Sequence, residues 1–551
     1  MSIQPVTSTE TVQHSGIDIR HLPGLRSLAA DYVYHFAAVS SFFAGDPASP
    51  QAWSDAIRRT RALPRRRGDL AALLAAQQRR RDAPPAACDA AARLADEQTV
   101  AVVTGQQAGL FGGPLYTLLK AITALQLAKR VSREQGTPTV AVFWVESEDH
   151  DWDEVRTCTV FDADLQAQTV SLPARGEADA APVATIALPD EIRSTIVDLE
   201  AALPPTEFTA GLVEQLQRAY RPGIGMADGF ARWLETVLGP AGLVVYDASD
   251  PAAKPLARDL FVREITSAGE TGRLAAAAGA ELVRRGYHAQ VQAHEDSPAL
   301  FYLGSGRHAI RAQDGQFAVA DERWSRDALA ELARREPARF SPNVLLRPLV
   351  QDTIFPNICY VAGPNELAYL GQLRGVYEQA GVPMPLMYPR ATATILDTTA
   401  VRFLGRYDVA LPTLQPQDES TLNHLLAAQL PPHVDASIQE ATRTITERME
   451  TVIEALPAVD PTLAGAARST LGRMQHDLKN LHGKLIQAAK RRDETLRRQF
   501  MHARAQAFPG GHPQERTIGF VSFLNQYGPV LIDRLRESLP LEMGRHWVIT
   551  I

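Results

Sequence analysis

The stretch Val102–Lys120, VVTGQQAGLFGGPLYTLLK, runs from an apolar burst through a glycine-rich turn into a helical pattern. The burst extends back to Thr99 as TVAVV, a short β-branched run of the kind that forms a buried strand. After the turn, Pro114 stands at a first helical position, and Leu115, Leu118, Leu119 and Ile122 recur at helical spacing. Strand, turn and helix make the first half of a βαβ unit, which TVAVFWV (139–145) completes. Further runs, GLVVYD (242–247), NICYVAG (357–363) and PLMYP (385–389), are mostly separated by helical segments. The alternation predicts an α/β domain with a mainly parallel sheet. Between them, residues 286–319 alternate in period two around HEDSP and QDGQ, which predicts a small antiparallel insertion.

The crossover of such a unit is almost always right-handed, so the loops after the first two strands open on one carboxyl edge. Thr104, Gly105, Gln106 and Gln107, then Gly112 and Gly113, form the first loop. Glycines permit close backbone approach, and the start of a helix presents N–H groups with partial positive charge. Phosphate or carboxylate fits there, and so does a plain tight connection, since neither GxxxxGK[ST] nor a clean GxGxxG is present. The second loop, in VFWVESEDHDWDEV (142–155), crowds Glu146, Glu148, Asp149, Asp151, Asp153 and Glu154 around His150. Such crowding costs repulsion unless a cation, an amine or solvent offsets it. Asp149 and Asp151 are therefore candidates for Mg²⁺ or a substrate ammonium, and His150 for proton transfer or phosphate contact; a solvated cap for the next helix is the alternative.

Other candidates follow from position. Lys120, in the second helical turn, leans toward the loop or lies on the surface. Glu366, after Gly363 in CYVAGPNEL, serves a ligand or simply caps a helix. Arg347 and Arg390 each suit a carboxylate or phosphate, with Gln351 and Asp352 beside the first. Tyr116, Trp144 and Glu148 complete the candidate binding set.

The wider composition sets limits. With 551 residues the chain is too long for one simple core. A net charge of -7 gives no reason to expect nucleic-acid binding. The three cysteines stand apart, without zinc or disulfide spacing. The N-terminal residues resemble no signal peptide and no long apolar run follows, so a cytoplasmic protein is expected. The arginine-rich stretch 58–84 reads as a solvated helical face or an anion-binding surface. Late in the chain Leu471, Met474, Leu478, Leu481, Leu485 and Ala488 step by three and four, as do Ile445, Met449, Val452 and Leu456. The intervening LPAVDPTL predicts an antiparallel helical hairpin. Its basic second arm, Arg473 to Arg504, is a solvated flank, a dimerisation surface or a phosphate-binding surface. The apolar segment 516–538 is expected to return to the core.

The ordered set VVTGQQAGLFGGPLYTLLKAI, FWVESEDHDWDEV, GYHAQV, RPLVQDTIFP, VAGPNELAYL, MPLMYPR and QERTIGFVSFLNQYG resembles the cysteine-adding enzyme family of bacillithiol biosynthesis, the BshC family, over nearly the whole chain. The resemblance implies a Rossmann-like core with connecting-peptide insertions and a coiled coil used in homodimerisation. It also implies a cysteine ligase that joins L-cysteine to the amine of glucosaminyl-malate. ATP is expected to activate the carboxylate, so an ATP or ADP site is expected, with Mg²⁺ as a candidate at Asp149 and Asp151. An RNA- or nucleotide-binding relative of class I synthetases, working through the basic coiled-coil arm, is the alternative. The expected boundaries are 1–396 for the core, with the insertion at about 284–322, 397–508 for the helical domain, and 509–551 for a segment packing back on the core.

Overall fold

The computed structural model describes residues 13–148, 151–175, 182–292, 294, 296–304, 306–320, 322–429, 432–492 and 494–551. The five apolar runs are the five strands of one parallel sheet: Val100–Gln107, Thr139–Glu146, Val244–Asp247, Asn357–Ala362 and Leu386–Pro389. Nearly every residue in them is buried, as a parallel sheet covered on both faces requires. On one face Ala101, Val103, Val140, Val142, Trp144 and Tyr246 join a core with Leu70, Leu74, Ala90 and Phe261. From the other, Phe143 meets Phe230 of helix Met226–Leu238. Helix Leu115–Glu134 lies along the first two strands.

Strand order decides where a ligand can enter. The first three strands run outward in sequence order, and the fourth then returns to lie on the other side of the first, with the fifth beyond it. Cys359 and Tyr360 pair with Val102 and Val103, while Val100 to Gln107 pair with Thr139 to Glu146. Chain direction across the sheet therefore reverses between Val100–Gln107 and Asn357–Ala362. Loops diverge at such a point and leave a crevice at the carboxyl edge.

The chain forms two compact units. Of the described residues, the first contains those from 13 to 394 and 514–549, so the apolar tail belongs with the sheet. It also carries short antiparallel strands from Leu300 to Trp324, with Phe340–Pro342 closing one group. Arginines of the 58–84 stretch are not all solvated. Arg81 is buried and grips buried Glu235 with Nε and Nη2 at 2.8 and 2.7 Å, and Arg67 Nη2 donates to the Thr99 carbonyl. Such guanidiniums can be buried because backbone and carboxylate acceptors replace water.

The second unit holds the helices Pro432–Ala455 and Leu463–Arg492, packed together across the Leu456–Ala458 break. Leu471, Leu478 and Leu485 are half-buried in their seam, where Gln475 Nε2 donates to Thr446 Oγ1 at 3.1 Å. Met474 and Leu481, expected in that seam, are 41% and 49% exposed. The seam is rotated by one position, and Gln475 and His482 take the half-buried places instead.

Candidate active site

At the reversal point the first and fourth strands are tied by Lys120. Its ammonium, 3% exposed, donates to the Gly105 carbonyl at 2.9 Å and to Gln106 Oε1 at 3.1 Å, and pairs with Glu366 Oε2 at 2.6 Å. Three acceptors match the three N–H bonds of an ammonium, which is what its burial demands. Burial lowers the Lys120 pKa, and Glu366 acts against that shift. Glu366 also accepts from Gly363 N–H at 2.5 Å and from the Tyr360 hydroxyl at 2.9 Å. Burial alone would raise its pKa, but Lys120 and these donors hold the carboxyl below its ordinary value.

Arg347 approaches the same edge. It donates to Gln351 Oε1 at 3.2 Å and to the Tyr369 hydroxyl at 3.1 Å, and its Nε lies 3.5 Å from Glu146 Oε2. Trp144, buried against Tyr246, donates its indole N–H to the same Glu146 oxygen at 3.2 Å. Trp144 thus orients a carboxylate instead of offering a free stacking face.

The glycine turn has an occupant from within the chain. A Cβ on Gly112, at φ +97°, would lie 2.2 Å from the Phe520 ring. Phe520 N–H donates to the Gly113 carbonyl at 3.2 Å, and Leu115 N–H donates to the Ile518 carbonyl at 2.8 Å. The first amide of the helix therefore serves the tail. Helical geometry begins at Leu115, with Pro114 as its cap. Beside this junction lies a recess of about 360 Å³, lined by Gln106, Gln107, Gly113, Tyr116, Thr117, Glu154 and Arg516 among others. Tyr116 accepts from Gln106 Nε2 at 3.3 Å. Thr117, fully buried, has a hydroxyl with no hydrogen-bond partner among the described residues. An unpaired buried hydroxyl is costly.

Several candidates are already engaged by partners within the chain. Thr104 is buried in the sheet and donates to the Val361 carbonyl. Asp352 accepts from Asn357, at the amino end of its strand, and from Tyr377 and Gln351. Glu148 is buried in an ion pair with Lys254. Arg390 is closed bidentately by Glu515 at 2.9 and 2.6 Å. Asp151 accepts from Glu154 N–H at 3.0 Å and caps the short helix Trp152–Val155. Asp149 and His150 lie outside the described residues. Among the described residues no three His, Cys, Asp or Glu side chains gather as a metal set. Thr117, Glu146, Glu154 and Arg516 escaped selection. Glu146 and Glu154 were visible only within the acidic run, while Thr117 and Arg516 carried no local signal.

The strand order and the charged crevice at its reversal point define a Rossmann-like α/β core. Residues 13–391 match the model of the bacillithiol biosynthesis BshC N-terminal Rossmann-like domain, and residues 393–551 match that of its C-terminal coiled-coil domain. A protein of Salinibacter ruber is 36% identical over 530 residues, 95% of this chain and 96% of its own. Proteins of Koribacter versatilis and Heliobacterium modesticaldum are each 34% identical, covering 80% and 82% of this chain and 81% and 83% of their own. All three carry the name "Putative cysteine ligase BshC". The chain belongs to the BshC family of bacillithiol biosynthesis and is an enzyme of the ligase class. Among the described residues no helix is long and apolar enough to cross a membrane.

Proposed function

We propose that the protein joins L-cysteine to the amine of glucosaminyl-malate, forming bacillithiol in the cytoplasm. The observation that carries this reading is the recess beside the reversal point, with the unpartnered Thr117 hydroxyl in its wall. Amide formation from a free carboxylate and an amine is unfavourable in water, and a nucleotide such as ATP supplies the activation. The donor set fits a phosphate or carboxylate group: Thr117 and the Gln106 and Gln107 amides line the recess, and Arg516 brings positive charge. Glu154, on the same wall, suits the ammonium of an amino acid. The Lys120–Glu366 pair holds the first and fourth loops at fixed separation, so that the ligand groups need little reorganisation.

The acidic loop contributes through Asp149, His150 and Asp151 as metal, amine or proton-transfer groups; this assignment rests on their sequence alone. Homodimerisation through the helical hairpin is part of the proposal. The exposed Met474 and Leu481, seven residues apart, support it because they present an apolar stripe beside the internal seam. The test is mass spectrometry of low-molecular-weight thiols in a strain lacking this protein. Accumulated glucosaminyl-malate without bacillithiol, restored by the intact gene, supports the reading. Normal bacillithiol in the deletion strain refutes it.

A further inference from the structure

Two walls of the recess beside the glycine turn depend on a pair that does not line it. Arg390 and Glu515 are both buried and absent from the lining, yet each is tied to a residue that belongs to it. The Arg390 guanidinium lies 5.5 Å from the centre of the Tyr116 ring, and Arg516 follows Glu515 in the short helix Gln514–Thr517. Tyr116 and Arg516 both line the recess.

The pair is held by several bonds. Arg390 Nη1 and Nη2 donate to the two Glu515 oxygens at 2.9 and 2.6 Å, and Nη1 also donates to the Ala391 carbonyl at 3.1 Å. Glu515 Oε2 accepts a further bond from Ala393 N–H at 3.2 Å. The same stretch is pinned to the helix that carries Tyr116, because Ala391 N–H donates to Thr123 Oγ1 at 3.1 Å. Three segments thus meet at one fork: the chain after strand Leu386–Pro389, the helix Leu115–Glu134 and the tail. Arg390 stands just before the chain leaves for the second unit, and Glu515 just after it returns.

Stability alone does not account for such a pair. A buried ion pair often contributes no more than hydrophobic residues of similar volume would, because both charges lose their water. What the fork supplies is fixed geometry. A guanidinium held bidentately has a defined plane, and that plane sets where an aromatic ring can lie against it. Arg516 is exposed and makes no ion pair among the described residues, so its placement follows from the backbone that Glu515 anchors. Burial and Glu154 raise the Tyr116 pKa while Arg390 and Arg516 act against the shift, so both guanidiniums reach one phenol.

We propose that Arg390 and Glu515 are positioning residues of this recess: their closed fork holds the Tyr116 ring and the Arg516 guanidinium at its wall, ready for a phosphate or carboxylate, without themselves touching the ligand. The ligand class rests on the function proposed above.

Isothermal titration of the full chain with ATP and with cysteine tests the role. Arg516→Ala is expected to weaken the bound probe roughly tenfold, as loss of a charge-assisted contact does. Arg390→Met with Glu515→Met leaves no charge buried alone, so the fold is kept while the same probe binds roughly three- to tenfold more weakly. Adding Arg516→Ala to that variant should cost less than it does in the parent, because residues that act through one another are not additive. Arg390→Lys keeps a charge opposite Glu515 but loses the fork and the flat face; it should weaken binding likewise, and it carries the test if the double variant does not fold. A folded double methionine or lysine variant that binds as the parent does overturns the positioning role. So does a fully additive loss on combination with Arg516→Ala, or parental binding that Arg516→Ala leaves unchanged. If the parent binds neither probe, the proposed ligand class falls and the role falls with it, whereas the other results remove the role alone.

Discussion

Thr117→Val separates a ligand-facing hydroxyl from a structural one. Thr117, a fully buried residue of helix Leu115–Glu134, lines the recess beside the glycine turn, and its Oγ1 has no partner among the described residues. An unsatisfied buried hydroxyl costs about 1–3 kcal/mol, and valine keeps the shape without the polar atom. Threonine and valine have similar helix propensities, so the backbone is little affected. The unliganded variant is therefore expected to be as stable as the parent or more stable by about 1 kcal/mol. Binding should move in the opposite direction. A lost ligand hydrogen bond is worth about 0.5–1.5 kcal/mol, so Kd for the ligand of this recess should rise roughly two- to tenfold. Thermal-shift titration with ATP, ADP and cysteine reads both effects, since the ligand-free melting point reports stability and the concentration dependence reports affinity. A variant less stable than the parent would show that the hydroxyl has a structural partner. A stabilised variant with unchanged response to all three ligands would show that no such ligand uses this wall. Gly113 is a poorer probe: at φ 74°, ψ −168° its backbone is nearly closed to other residues, so any substitution strains the fold as well.

Arg390→Met should cost about 3–5 kcal/mol in denaturant unfolding, because Glu515 would be left buried without its partner; replacing both with methionine should recover much of the loss. Burial depresses the His546 pKa from 6.5 to about 4, where its ring nitrogens lie against the Thr392 and Thr394 hydroxyls. Its contribution is present above the unfolded value and is lost as pH falls from 6.5 toward 4, by about 3 kcal/mol. His546→Gln should flatten this part of the stability-versus-pH curve, and an unaltered slope would contradict the assignment. Leu478→Asp should lower the melting temperature of the helical hairpin by placing a charge in its seam. Leu481→Asp should leave that hairpin folded while shifting sedimentation toward the monomer; an unchanged sedimentation coefficient would remove the outer stripe from dimerisation. In the deletion strain, a gene carrying Asp149→Asn with Asp151→Asn should fail to restore bacillithiol, and full restoration would exclude the acidic loop from the reaction.

The five strands and the helical hairpin were legible in the residue pattern alone. A strand buried on both faces must be apolar at successive positions, as TVAVV and TVAVFWV are, and a packed helix must repeat its apolar residues every three or four. The reach of Lys120 toward Gly105 was one of two readings open in the sequence, since helical side chains lean toward the N-terminus but a surface position fitted equally; burial against Glu366 decided it. Partners distant in sequence were decided by tertiary structure alone. Asn357–Ala362 lies beside Val100–Gln107 because of packing across more than two hundred residues, and that placement makes the reversal crevice. The space at Gly112 belongs to Phe520, and the fork of Arg390 belongs to Glu515, yet no local pattern around either residue names its partner. Helical period similarly shows that apolar stripes exist but not which one turns inward: Leu478 entered the hairpin seam while Leu481 remained outside. Local sequence constrains backbone conformation and which faces are apolar, whereas the pairing of charges and the filling of space depend on which segments the fold brings together.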